Sequence, residues 1–364
     1  MPRATSPTKA NRRSSRPGNG AATFPGGVRI ASVLQIRTLA EEFGLDFPAL
    51  LVAAGASPGN FDKPDTRLSV DVLGRLLEHC VEHSACPHFG LLAGRRFDPD
   101  SFGELSTLMK NCGAVREALA LGSKHLQVTD QSAMSFMLDV GDGHTALGYA
   151  LFAGIIPGAE YIQDCALAMQ CRLLRELCGP GWRPLQVRIS RARPADLRPY
   201  RTAFGETVEF DADLSAIVFD SYWLDQPISG ASREVFLAAA QAVELRAASD
   251  PVPFSRQVRR AIHALLFSSS VSTPKIARFF DVAPRTLRRR LADEGATVRD
   301  LTGDVRRELS FHLLRNTDLK ISEVAEALRY ADAAVFSRAF RSWTNMSPRQ
   351  WRALDVSQQQ KARR

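Results

Sequence analysis

No stretch of this sequence approaches the roughly 18 to 20 apolar residues that cross a bilayer as a helix, so no membrane span is predicted. The N-terminus is basic, but the apolar segment from Val28 to Ile36 is interrupted by Arg29, Ser32 and Gln35. It lacks the continuous core that a secretory signal, or a twin-arginine signal headed by Arg12-Arg13, requires. A cytoplasmic protein is expected. The six cysteines (Cys80, Cys86, Cys112, Cys165, Cys171, Cys178) form no C-x-x-C pair, which argues against a redox or metal-sensing role. In a reducing compartment they are expected to be buried small hydrophobes. A glycine-rich phosphate loop, a G-x-S-x-G elbow and a Ser/His/Asp set are missing as well, so neither phosphoryl nor acyl transfer has its usual signature. Neither an enzyme nor a cofactor is expected.

One short pattern remains. His79-Cys80-Val81-Glu82-His83 has the H-x-x-E-H spacing of inverzincin proteases, with both imidazoles on one helical face where they could share a zinc ion. With no clear third ligand, a packed or surface histidine pair accounts for it better, and a metal-dependent hydrolase is the rival reading.

Acidic residues are absent from positions 1 to 27, which carry Arg3, Lys9, Arg12, Arg13 and Arg16, a balance of +5. From 251 to 364 there are 22 Lys or Arg against 11 Asp or Glu, a balance of +11; the net charge of +8 therefore leaves −8 on residues 28 to 250. An acidic body lies between basic ends. Basic residues concentrated in one domain are the footprint of a polyanion binder, because each neutralised phosphate releases condensed counterions.

At 364 residues and 45% hydrophobic content the chain can fill two or three cores. Residues 1 to 27, rich in Ser, Pro, Gly and Arg without apolar periodicity, are expected to be a disordered tail. Between Val28 and Ser123 apolar residues recur at three and four, as in Leu68, Val72, Leu73, Leu76, Leu77, Cys80 and Val81, so this part should be mainly helical. Ser135 to Val140, the turn Gly141-Asp142-Gly143 and His144 to Phe152 read as a β-hairpin. Strand-like runs return at Leu185 to Ser190, Val208 to Phe210 and Ala216 to Phe219, and a helix is expected from Ala159 to Leu177, stopped at Gly179-Pro180. Residues 231 to 249 read as a connecting helix, and Asp250-Pro251-Val252-Pro253 is the clearest break. The chain divides on paper into a basic tail (1–27), an α+β domain (28–230), a linker helix with a Pro-rich break (231–254), an almost entirely helical domain (255–352) and a basic tail (353–364).

Two stretches of the last domain resemble each other at a spacing of about 48 residues, counted from Ala277 to Ala325. In the first, Thr273-Pro274 opens a helix through Ile276, Ala277 and Phe280, Asp281-Val282-Ala283 turns, and Pro284 starts a second helix through Leu287 and Leu291. In the second, Ile321, Val324, Ala325 and Leu328 line one helix, Arg329 to Asp332 turn, and a further helix carries Phe336, Phe340 and Trp343. Each has an alanine where two helices must approach closely and an apolar anchor ten or eleven positions later, the pattern of a helix-turn-helix. Arg285, Arg288 and Arg289 share the face opposite Leu287 and Leu291. Arginine makes bidentate contacts to guanine O6 and N7, and otherwise reaches phosphate.

The run from Ile321 to Arg352, with Phe336-Ser337-Arg338-x-Phe340 at its core and Ser347-Pro348 near its close, resembles the signature of the AraC/XylS transcription regulators. Ala283-Pro284-Arg285-Thr286-Leu287-x-Arg289-x-Leu291 is similar to that family's first recognition helix, and Val298 to Leu314 fits its long joining helix. The resemblance implies seven helices, with Arg285, Thr286, Arg288 and Arg289 as DNA-binding residues of the first unit and Ala334, Ser337, Arg338 and Arg341 of the second. It places the two recognition helices in successive major-groove segments about 34 Å apart. It departs from the pattern at Arg329, where the family has a turn Gly, at Ala283 in place of a Ser cap, and at Asn345 in a frequent Gly position. Ala334 has no polar head, so the second unit should read less sequence than the first. The N-terminal half resembles the arabinose-binding-domain-like sensor of regulators of the ornithine-utilisation type, through His88 to Leu91, Phe97 to Gly103, Phe204-Gly205 and Leu224 to Pro227.

Together these imply an α+β N-terminal sensor domain (28–230) followed by an all-α DNA-binding domain (255–352) with two helix-turn-helix units. Such a chain is a transcription regulator controlled by an unknown small-molecule effector, with promoter DNA, RNA polymerase and a second copy of the chain as partners. Whether it activates or represses depends on operator position. An architectural DNA binder without effector is the other rival. Tyr161, Trp182, Tyr222 and Trp223 could line an effector pocket, but core packing explains each better, and no effector residue is assigned.

Overall fold

The computed structural model describes residues 26–151, 156–268, 271–280 and 282–354. The two tails, apart from residues 26–27 and 353–354, and the positions of Phe152 and Asp281 lie outside them.

The N-terminal part is α+β, as its alternating texture predicts. Strand β1 (Gly27–Arg29) pairs antiparallel with β2 (Arg67–Ser69), so Leu68, which continues the helical period on paper, is a strand residue opposite Val28. The helix of that period, α1, starts at Val70 and ends at Ser84. A short helix at Phe89–Arg95 then lies directly on α2 (Ala159–Cys178): a methyl group at Gly90 or Gly94 would collide with the carbonyl of Tyr161 or Cys165.

The main sheet has the order β3-β4-β7-β5-β6, built from β3 (Ala133–Gly141), β4 (His144–Leu151), β5 (Gln186–Arg188), β6 (Val208–Glu209) and β7 (Ser215–Asp220). All pairings are antiparallel except β5 with β6. Gly141 pairs with His144, which leaves a two-residue turn of Asp142 and Gly143, both at positive φ (53° and 75°). That conformation matches the right-handed twist of the flanking strands. The α2 helix crosses this sheet and ends at Gly179, φ 88°.

Two large apolar clusters fill most of the domain, one around α1 and the 3₁₀ turn at Ile30–Val33, the other around the sheet, Trp182 and Tyr200, with two small ones on β3, β4 and β7. Helix α3 (Arg233–Ser249) packs Ala239 and Val243 into the second cluster. The cysteines behave as apolar groups: five are buried, Cys178 is partly so, and burial pushes the thiols of Cys80, Cys112, Cys165, Cys171 and Cys178 up to about 12. Trp182 is fully buried against Phe219 and Tyr222 is 63% exposed, so neither lines a cavity.

Beyond the Pro251-Pro253 break the described chain is helical, with α4 (Phe254–Ser268), α5 (Thr273–Phe279), α6 (Pro284–Asp293), α7 (Val298–Asn316), α8 (Ile321–Ala327), α9 (Ala333–Thr344) and a last helix at residues 348–354. Their core is a third large cluster, separate from those of the N-terminal domain, with Val258, Ile276, Leu287, Leu309 and Phe336 among its members.

Candidate nucleic-acid interface

The first helix pair is set by local chemistry. Ser272 caps α5, its hydroxyl accepting from the Lys275 amide at 3.4 Å, with Pro274 in the first turn where its missing N–H costs nothing. Ala283 begins α6 with no side-chain cap, and Pro284 follows. The uncompensated cap costs about 1 kcal/mol relative to Ser. Ala277 is buried at the crossing, and Leu287 and Leu291 anchor α6 inward.

The opposite face of α6 is a row of cations. Arg285, Arg288 and Arg289 are exposed and make no ion pair among the described residues. Arg290 differs: its guanidinium lies 5.4 Å from the centre of the Phe254 ring and so braces α6 against α4. Thr286 is half-buried beside the row.

The second pair repeats the plan with different caps. The Glu323 carboxylate accepts from the Lys320 amide at 2.6 Å at the start of α8, and Asp332 caps α9 by accepting from the Val335 amide at 2.7 Å. The turn between them passes through Arg329 at φ 57°, and α9 ends at Asn345, φ 60°. Both departures from glycine thus occupy the left-handed region, and the Arg329 side chain recovers a bond to the Leu266 carbonyl at 3.2 Å. Phe336 and Phe340 are fully buried, and Phe340 packs against Phe311, Trp343 and Trp351. On the outer face Ala334, Arg338 and Arg341 are exposed. Ser337 is half-buried and its hydroxyl donates to the Ala333 carbonyl at 2.7 Å, so it is already occupied within its helix. Between the units, α7 is capped by Thr297, whose hydroxyl accepts from the Asp300 amide at 3.1 Å.

Contacts between the two parts of the chain were not visible to sequence reasoning. Arg260 of α4 points into the N-terminal domain, donating to the carbonyls of Asp130 (2.9 Å) and Ala133 (3.0 Å) and to Gln127 Oε1 (3.1 Å). Burial brings its guanidinium down to about 10. His312 of α7 places Nε2 3.1 Å from Ser190 Oγ and 3.2 Å from the Gln163 amide, and its Nδ1 lies 2.9 Å from the Asn316 amide nitrogen. Burial pulls His312 down to about 4. Beside it, Glu308 pairs with Arg259 and is pushed up to about 7 by burial. The Asp318 amide donates to Asp211 at 2.8 Å. In sequence Arg260 is one more basic residue on a basic helix, and His312 sits within Phe311-His312-Leu313-Leu314. The histidine within an apolar run was the one available signal.

The His79/His83 pattern resolves into helix chemistry. His83 Nδ1 faces the His79 carbonyl at 2.8 Å, and His79 Nδ1 lies 3.6 Å from Glu82. Among the described residues no group of three or more His, Cys, Asp or Glu could hold a metal ion.

Two helix-turn-helix units with outward basic faces, joined to an α+β domain, define a DNA-binding transcription regulator with a sensor domain. Residues 44–228 match the family described as the arabinose-binding domain of AraC transcription regulators, and residues 276–354 match a helix-turn-helix domain. The chain belongs to the AraC-type regulators that carry this N-terminal domain: it binds DNA to regulate transcription, under control of a small-molecule effector. It is similar to the HTH-type transcriptional regulator VirS of Mycobacterium tuberculosis, 27% identical over 327 residues, covering 90% of this chain and 96% of that one. It is also similar to the ornithine utilization regulator of Pseudomonas aeruginosa, 28% identical over 335 residues, covering 89% and 96%. Of solved structures, the transcriptional regulator CdpR of Pseudomonas aeruginosa aligns over 84% of this chain and 96% of its own, at 24% identity and a TM-score of 0.43.

Proposed function

We propose that the protein is a one-component regulator, with no catalytic step, that reads its operator mainly through α6. Arg285, Thr286, Arg288 and Arg289 contact DNA from the first unit, and Ala334, Ser337, Arg338 and Arg341 from the second. The observation that carries this is the α6 face, where three exposed arginines, without carboxylate partners among the described residues, lie opposite the buried anchors Leu287 and Leu291. Uncompensated arginines on a helix of groove-filling width favour phosphate and guanine over plain solvation. In α9 the hydroxyl of Ser337 is held by its own helix and Ala334 offers a methyl group, so this helix supplies affinity more than base choice.

In the division we propose, residues 28–230 sense the effector, 231–254 connect, and 255–352 bind DNA, between basic tails at 1–27 and 353–364. The connecting helix packs on the sensor through Ala239 and Val243 and so transmits its position. Effector binding shifts the population of domain arrangements, and of dimers, that can seat both helix pairs on an operator and meet RNA polymerase in the cytoplasm. The test is a footprint and band shift of the full chain on the DNA flanking its own gene, with nonspecific competitor and a panel of amino acids, amines and related metabolites. A discrete site whose occupancy responds to one compound is expected. Binding insensitive to DNA sequence would make it an architectural protein instead.

A further inference from the structure

At the seam between the two apolar clusters of the N-terminal domain lies a cavity of about 100 Å³. Its walls come from both sides: Ile36, Leu77 and Ile162 from the first cluster, Leu119, Leu147 and Leu173 from the second. An apolar cavity of about 150 Å³ admits benzene, so this one holds a single small ring or a short chain of about six to eight heavy atoms with slight opening of the seam.

Three polar atoms on this wall have no hydrogen-bond partner among the described residues: the hydroxyls of Ser32 and Ser123 and the side-chain carbonyl of Gln170. The orientation of the Gln170 amide is fixed by its nitrogen, which donates to Ser135 Oγ at 3.1 Å and to the Gly148 carbonyl at 3.5 Å. The oxygen is thereby left buried, on a residue that lines the cavity, with nothing to accept from. A buried acceptor in that state costs free energy that a ligand donor would recover.

Charge on the wall is nearly absent. Among the described residues no Lys, Arg or His lines the cavity, so a carboxylate or phosphate would be stripped of water with no cation to meet it. Asp130 is the one acidic residue there. Its carboxylate is already engaged, by the Ser132 amide (2.7 Å) and hydroxyl (2.6 Å) on one oxygen and by the Tyr149 hydroxyl (3.3 Å) on the other. The positive charge that balances it is also in place, since the Arg260 guanidinium sits on the Asp130 carbonyl and interacts electrostatically with that carboxylate, so an ammonium group would compete with Arg260 for it.

We propose that this cavity is the effector site and that the effector is a small, uncharged, largely apolar molecule with a hydroxyl or N–H group that donates to Gln170 Oε1. The proposal rests on the reading that the N-terminal domain controls DNA binding. The same segment that lines the cavity at Leu126, Asp130 and Ser135 includes the carbonyls of Asp130 and Ala133 that Arg260 holds. Filling the cavity therefore acts on the backbone that α4 grips.

The test is calorimetric titration of the full-length protein, without DNA, with four probes of one ring size: phenol, toluene, benzoate and benzylammonium. Phenol should bind about tenfold more tightly than toluene, since one recovered buried hydrogen bond is of that order, and the two ions should not bind measurably. Gln170→Leu should bring phenol and toluene within about twofold of each other, and Ala166→Leu, which adds bulk to the wall, should abolish both. Tightest binding by benzoate or benzylammonium, equal binding of phenol and toluene by the native protein, or binding unchanged in Ala166→Leu would overturn the assignment. If Gln170→Leu does not fold, the four-probe comparison on the native chain decides alone. The operator footprint is read separately: a specific footprint with no probe bound sinks the cavity proposal and leaves the regulator standing, while probe binding with no specific footprint does the reverse.

Discussion

At Arg329 a side chain with a Cβ holds a left-handed backbone, φ 57°, in the turn that sets α9 against α8. Two replacements separate the backbone cost from the lost contact to Leu266. Arg329→Ala and Arg329→Gly both remove that contact, but only glycine is at ease there, so the glycine variant should be more stable than the alanine variant by about 1 kcal/mol in urea denaturation. Equal stability would show that the turn is unstrained. Arg288 poses a question of binding. Arg288→Ala should cost about 1 to 3 kcal/mol of operator affinity and flatten base preference at one position if it reads a guanine, or lower affinity evenly across sequences if it meets phosphate. Unchanged operator binding removes it from the interface. Residues of this kind were legible because their meaning is local: a turn position, a helix face, a cap. Arg260 was not, since its charge is that of a DNA-binding residue and its partners are backbone carbonyls some 130 positions earlier, which carry no side-chain signature.

Among elements, α6 shows how one helix serves two surfaces. Leu287 is fully buried in the third cluster while its neighbours in sequence are half-buried (Thr286) and exposed (Arg288). Leu287→Asp should destabilise the first unit by more than about 3 kcal/mol, because it leaves both a void and an unpaired charge. Circular dichroism should record lost helix and a band shift should record lost binding; native helicity with full binding would show that α6 is turned the other way. The elements of the sensor were legible to differing depth. The β3-β4 hairpin and α2 have strong local signals in the Asp142-Gly143 turn and the Gly179 stop. Strand β2 did not, since Leu68 extends the helical period of α1 and its strand character comes from pairing with Val28, forty residues away. The cavity was least legible, because its wall draws on residues from Val28 to Leu173 with no shared period. The aromatic residues that a sequence offers as pocket candidates, Trp182 and Tyr222, went to the core and to solvent.

For the whole molecule, the interface between sensor and DNA-binding domain should respond to pH through His312. Its folded-state pKa of about 4 lies below the ordinary 6.5, so between these values the unfolded or undocked chain binds the extra proton and the docked form loses stability as pH falls. Glu308, raised to about 7, acts in the opposite sense over an overlapping range. Comparison with His312→Gln cancels that contribution: the stability advantage of the native protein over the variant should be full above pH 6.5 and shrink toward pH 4. An advantage independent of pH would mean that His312 is not desolvated by docking.

Arg260 has a consequence that runs from DNA back to the ligand. One guanidinium joins the DNA-binding domain to the backbone around the sensor cavity, and by linkage any factor by which an effector alters operator affinity equals the factor by which the operator alters effector affinity. Promoter-bound and unbound copies in one cell would then sense the same compound at different thresholds, so the dose at which a gene responds depends partly on the operator it sits beside.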